Sequence, residues 1–149
     1  MSNVTYFVGL DYHQHSIQVC VMNSDGHIIH NSLDQTTGRT LSKSCPKGGQ
    51  VFAAIEACNV AASFAEELTA HAGWSVDLAH PGYVAQIKQG PDKTDWGDAR
   101  LLADLEHIGY LPNVWLAPEA TRELRRLVRF RQRLVNHRRN VKLRVASVG

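Results

Sequence analysis

Cysteine is scarce in this chain and poorly spaced for cross-linking. Cys20, Cys45 and Cys58 are odd in number and form no Cys-x-x-Cys pair. That argues against a disulfide framework or a structural zinc site. Cys20 falls in an apolar strand pattern and reads as a small core residue. Long apolar runs are missing, and no stretch suffices to cross a bilayer. The N-terminus lacks a basic segment followed by a small-residue cleavage site, so the sequence reads as cytoplasmic. Low-complexity tracts and internal repeats are absent. Acid is rare towards the C-terminus: residues 119–149 carry 10 Lys/Arg against 2 Asp/Glu, whereas residues 1–118 carry 6 against 12. The net charge of +2 hides this division. A basic segment on an acidic body points to nucleic acid or an acidic partner for the segment, and to a body that needs cations or at least does not itself grip DNA tightly. With 149 residues, 44% of them apolar, the chain suits one domain, or one domain with an appendage, and a core that needs no staples.

The hydropathy pattern orders the elements. Val4–Leu10 is β-prone and ends on Asp11, Ile17–Met22 alternates, and His27–Leu33 resumes a strand after Asn23-Ser24-Asp25-Gly26. Asp-Gly is a strong hairpin signal, so a three-strand antiparallel meander is expected. Thr36–Gly49 is polar, with room for a short helix around Arg39–Ser44. Gln50–Ala57 reads as a fourth strand. Asn59 is placed to cap a helix over Val60–Ala72 that stops at Gly73. Trp74–Ala79 reads as a fifth strand, and Pro81 starts a short helix to about Gln89. Gly90-Pro91-Asp92 is a break. A helix from Asp95 to about Gly109 follows, then an extended connector over Leu111–Pro118 and one long helical pattern over Glu119–Ser147. An antiparallel start followed by alternating strands and helices predicts an α/β mixed sheet with flanking helices, in the order of a ribonuclease H-like (RuvC-like) fold. The domain division expected is 1–118 for that unit and 119–149 for the long basic helix.

Four acids fit one site in such a fold. Lys93-Thr94-Asp95-Trp96-Gly97-Asp98-Ala99 opens a helical pattern in which Leu101, Leu102, Leu105 and Ile108 recur at three- and four-residue steps. Asp95 and Asp98 therefore share a helix face. Asp11 ends the first strand and Glu56 the fourth. If those strands are parallel neighbours, both carboxylates emerge at the C-terminal sheet edge, where ligands of open α/β sheets collect. Each acid alone has a structural explanation: a cap, a dipole partner or a surface ion pair. Four together would repel, and divalent cations with oxygen preference, such as Mg²⁺, relieve this and serve phosphoryl transfer. His13 and His15 read as surface turn residues, with contact to a metal or a phosphate as the alternative. Trp96 is placed either to stack on a base or to pack on the neighbouring helix.

The residues also resemble a family. Val8-Gly9-Leu10-Asp11, Ile55-Glu56-Ala57, His80-Pro81, Lys93-Thr94-Asp95-x-x-Asp98-Ala99 and the basic Thr121-Arg122-Glu123-Leu124-Arg125 are similar to motifs of the N-terminal domain of DEDD-type insertion-sequence transposases (insertion-sequence family 110, with the Piv and MooV DNA invertases). The resemblance implies a RuvC-like fold and an acidic tetrad of Asp11, Glu56, Asp95 and Asp98 that binds Mg²⁺, with Mn²⁺ as a substitute. It implies recombination of DNA in the bacterial cytoplasm, guided by an RNA that the mobile element encodes. Two departures stand out. The family follows its glutamate with Ala-Thr-Gly where this chain has Ala57-Cys58-Asn59, and it follows the first aspartate with a small residue, Ser and Lys where this chain has Tyr12-His13-Gln14. Family members also carry a C-terminal domain with a catalytic serine. The sequence is therefore expected to be part of a longer protein, and alone not to recombine DNA.

The long helix carries a broken heptad. Leu127, Leu134, Val141 and Val148 are seven apart, Leu124 and Val145 fit between them, and Arg131 and Arg138 interrupt. Arg122, Arg125, Arg126, Arg129, Arg133, Arg139, Lys142 and Arg144 cover much of the remaining surface. The expectation is a helix that associates with its copy in another chain and offers guanidinium groups to a phosphate backbone. Two other functions fit the same residues: a stand-alone RuvC-like junction-resolving nuclease, and a non-catalytic dimerising nucleic-acid-binding module. A sugar kinase of the actin type is disfavoured, because Tyr12-His13-Gln14-His15 supplies no Gly/Thr-rich phosphate turn.

Overall fold

A computed structural model describes residues 4–13, 15–35, 41, 45, 47–88 and 94–147. Six strands form one mixed sheet: β1 (Val4–Tyr12), β2 (Ser16–Asn23), β3 (Ile28–Gln35), β4 (Gly49–Glu56), β5 (Ser75–Ala79) and β6 (Asn113–Val114). The helices are α1 (Ala61–Ala72), α2 (Pro81–Ile87), α3 (Asp95–His107) and α4 (Glu119–Ala146). The sheet order is β3-β2-β1-β4-β5-β6. β1, β2 and β3 pair antiparallel, β1, β4 and β5 pair parallel, and β6 returns antiparallel on β5. Two compact units divide the chain, Met1–Trp115 and Leu116–Gly149.

Local chemistry accounts for the boundaries. At the β2–β3 turn the Asn23 side chain accepts from the Asp25 and His27 N–H groups at 3.0 and 2.9 Å. Gly26 stands at φ +80°, a left-handed angle that glycine adopts without a Cβ clash. α1 ends on Gly73 in the same region, as its position predicts. Its start differs from expectation: Val60, not Asn59, is the N-cap, with no side-chain cap bond. Ser63 Oγ instead donates to Val60 O at 2.9 Å. The connector expected over Leu111–Pro118 contains the short strand β6. Two residues without apolar alternation left no strand signal there, and what recruits them is the open edge of β5. The short helix expected around Arg39–Ser44 lies, apart from Leu41, outside the described residues. So do Gln14, the Gly90-Pro91-Asp92 break, Lys93 and Val148.

The core lies on both faces of the sheet. Along β1, Phe7, Gly9 and Asp11 share one face and Leu10 and Tyr12 the other, by strand alternation. α3 covers the first face: Ala99 and Ala103 pack with Cys20 and Met22, and Phe7 and Ile28 close the cluster. On the opposite face Tyr12 meets Phe64 of α1 edge to face, ring centroids 5.6 Å apart. Cys20, on the α3 face, is fully buried, and burial pushes its thiol up to about 11. It is core, as its strand setting predicts. Among the described residues no helix is long and apolar enough to cross a membrane.

Candidate metal centre

The site is built where α3 crosses β1. Gly9 lies directly beneath Ala99: a Cβ on Gly9 would stand 1.8 Å from the Ala99 carbonyl oxygen. Only hydrogen fits, so the helix backbone rests on the strand backbone. That close approach delivers the first turn of α3 to the end of β1, where Asp11 lies one strand repeat beyond Gly9. Thr94 is the N-cap of α3, its hydroxyl accepting from the Gly97 N–H at 3.1 Å. Capping thus falls to Thr94, which leaves the Asp95 and Asp98 carboxylates for other partners. A side-chain relay fixes the same turn to the sheet. Gln18, opposite Asp11 in register and buried, donates to Asn31 Oδ1 at 2.6 Å, and Asn31 Nδ2 donates to Trp96 O at 3.3 Å.

Asp11 and Asp95 meet around His13. His13 Nε2 lies 3.3 Å from Asp11 Oδ2 and 3.3 Å from Asp95 Oδ1. One ligand atom from each of the three lies within 4.8 Å of the others, the one such group among the described residues. Burial holds the Asp11 carboxyl above its usual range; His13 works against that shift and Asp95 adds to it. Asp98 takes another partner, forming an ion pair with Lys88 at the end of α2. Glu56 ends β4. The last registered pair of β1 and β4 is Leu10 with Ile55, so Asp11 and Glu56 are the next step on the two parallel strands. The structure therefore brings Asp11 and Asp95 together, sets Asp98 against Lys88, and leaves Glu56 at the adjoining strand end. Two carboxylates and an imidazole are a donor set for a divalent cation.

The family model described as a DEDD transposase of insertion-sequence family 110 matches residues 8–148. The chain belongs to this transposase family. No curated protein matches it. The matched span takes in Asp11, Glu56, Asp95 and Asp98 together with all of α4.

In this transposase, α4 has no buried residue. Arg125, Arg126, Arg129, Arg133, Arg139, Lys142 and Arg144 are exposed, and Arg122 is half-buried. Arg122 Nη1 donates to Ala117 O at 2.8 Å, an anchor for the start of the helix. Trp96 is half-exposed, with the Arg100 guanidinium 5.7 Å from its ring centroid. His15 is exposed and stands outside the three-residue group. Sequence reasoning gave His13 little weight and missed Lys88, Gln18 and Asn31. His13 had one available signal, its position two residues after the first aspartate. Lys88 had none, because only the fold brings α2 beside α3.

Proposed function

We propose that the chain is the metal-binding catalytic domain of a bacterial insertion-sequence transposase, a site-specific DNA recombinase acting in strand cleavage and transfer. The observation that carries this reading is the meeting of Asp11 and Asp95 across the β1–α3 crossing, within reach of one cation. Family membership supports DNA as the substrate. The strand order, with an antiparallel meander and then parallel β1, β4 and β5, supports a ribonuclease H-like, RuvC-like fold.

In this reading Asp11, Glu56, Asp95 and Asp98 hold Mg²⁺, with Mn²⁺ as a substitute. Bound metal supplies Lewis-acid stabilisation of a phosphoryl group in transfer. The protein's part is positional. β1 and β4 present Asp11 and Glu56 from the sheet, α3 presents Asp95 and Asp98 on one helix face, and Asp98, paired here with Lys88, would leave that partner to hold the cation. Arg125, Arg126, Arg129 and Arg133 fall within a narrow arc of α4 by helical periodicity and suit a phosphate backbone. Leu127, Leu134, Val141 and Val145 fall on another side and suit a second copy of the helix. The element's guide RNA is the further partner, and the bacterial cytoplasm the setting. The strand-transfer serine would come from a second domain.

The test is a Mg²⁺ and Mn²⁺ binding titration on this chain, repeated with Asp11→Asn and Asp98→Asn. Saturable binding lost in both variants is expected. Binding that neither substitution weakens would overturn the tetrad.

A further inference from the structure

His13 departs from the family pattern, yet its ring stays at the site. β1 ends at Tyr12, and the chain turns with the His13 N–H donating to Ser16 O at 2.8 Å. This holds the ring over the strand end, with Nε2 equidistant, at 3.3 Å, from an Asp11 oxygen and an Asp95 oxygen. Donors about 2.0–2.2 Å from one ion lie roughly 3–3.5 Å from each other. Both His13–carboxylate distances match that spacing, and the ligand oxygens of Asp11 and Asp95 lie within 4.8 Å of each other. The His13 side chain is 44% exposed, so an ion can reach Nε2 from solvent.

The third donor changes which ion the site prefers. Mg²⁺ takes oxygen and water, and an imidazole in its shell is a poor exchange for either. First-row transition ions accept nitrogen readily, with affinity rising from Mn²⁺ through the series. We propose that His13 is a metal ligand through Nε2, completing with Asp11 and Asp95 a site that takes a first-row transition ion, with Mn²⁺ as its probe, in preference to Mg²⁺. This rests on the metal site proposed above and adds a ligand and a selectivity to it. The competing account makes His13 an internal cation bridging two carboxylates, with no nitrogen–metal bond.

The two accounts separate without any activity assay. Mn²⁺ is titrated into the full chain and followed by the electron paramagnetic resonance of the free ion, with pulsed spectra reading nitrogen coupling in the bound state. Wild-type protein is expected to bind Mn²⁺ at least about tenfold more tightly than Mg²⁺, with the coupling of a directly bound imidazole nitrogen. His13→Gln should lose that coupling and about tenfold in Mn²⁺ affinity, while Mg²⁺ affinity moves by less than about threefold. His13→Asp should recover binding and favour Mg²⁺, because it returns an oxygen donor to the same place. Both variants carry the wild-type circular dichroism spectrum if they fold. Mn²⁺ bound without nitrogen coupling, or equally well by His13→Gln, overturns His13 as a ligand and leaves the acidic site standing. No Mn²⁺ binding by wild-type protein overturns both.

Discussion

Gly9→Ala is the most revealing single-atom perturbation, because Gly9 couples the sheet to the acids of α3. The added Cβ would stand 1.8 Å from Ala99 O, 2.6 Å from Ala103 N and 2.9 Å from Ala99 C. All three are backbone atoms, so no side chain can swing aside. Non-bonded contacts settle near about 3.5 Å, so α3 must lift by on the order of 1.5 Å at the crossing. Overpacking of a close-packed interior costs roughly 1–3 kcal/mol, and a backbone clash belongs at the upper end, about 3 kcal/mol. The better strand fit of Ala over Gly returns about 0.5–1 kcal/mol at most. For a chain of this size the balance lowers Tm by roughly 5–10 °C. The same lift separates Asp95 from Asp11. Metal–ligand distances hold to about 0.2 Å, so Mn²⁺ affinity should fall by about tenfold or more. Thermal unfolding by circular dichroism and the Mn²⁺ titration measure the two effects. An unfolding midpoint within about 2 °C of wild type, with unchanged Mn²⁺ affinity, would refute the argument that this crossing is tight and positions the acids.

Three further outcomes are expected. Lys88→Met removes the cation that holds Asp98 and should tighten Mn²⁺ binding by about three- to tenfold, because a competing positive charge is lost; weaker binding would show that Lys88 supports the site. Burial, then the hydrogen-bonded Asp77, pushes the Glu106 carboxyl from 4.5 up to about 7. Folded protein thus keeps a proton that the unfolded chain has released, and stability falls as pH rises between those values. Glu106 is half-buried, so after solvent screening the effect is on the order of 1–2 kcal/mol; Glu106→Gln should flatten the slope in urea titrations from pH 4.5 to 7, and an unchanged slope would remove the assignment. The Arg129→Gln, Arg133→Gln double variant should lower the slope of log K against log salt for duplex DNA by about 1.8; an unaltered slope would place the phosphate contacts elsewhere.

The strands were legible because their signals are local. Alternation, Asp25-Gly26 and Gly73 each act within a few residues, and the elements follow them. The acids were legible as candidates, since a strand-end position and an i, i+3 spacing can be read along the chain. Their partners could not be read. Lys88 reaches Asp98 from a different helix, and Gln18 and Asn31 reach Trp96 through a relay whose members stand 13 and 65 residues apart. Asn59 illustrates the opposite error. A good capping residue stood one position before the cap, and Val60 took the place because Ala61 N–H already had the Cys58 carbonyl, at 3.3 Å.

The glycine and the alanine of the family-like motifs acquire a physical meaning from the same crossing. Val8-Gly9-Leu10-Asp11 and Asp98-Ala99 read in sequence as an acid with neutral neighbours. In the fold Gly9 and Ala99 are the two sides of one contact, and the acids are what that contact carries. The helix half of the site is then held at independent points: the Gly9–Ala99 crossing, the Thr94 cap and the Gln18–Asn31–Trp96 relay. The sheet half needs none of these, because Asp11 pairs with Gln18 of β2 and directly follows Leu10, which pairs on both sides of β1. Errors in positioning therefore enter through α3. Substitutions at Gly9, Thr94 and Asn31, none of them an acid, should weaken metal binding through displacement of Asp95 and Asp98. They differ from loss of an acid in what they leave behind. The full donor set remains, so higher ion concentration restores occupancy, whereas Asp11→Asn removes a charged donor from the site itself.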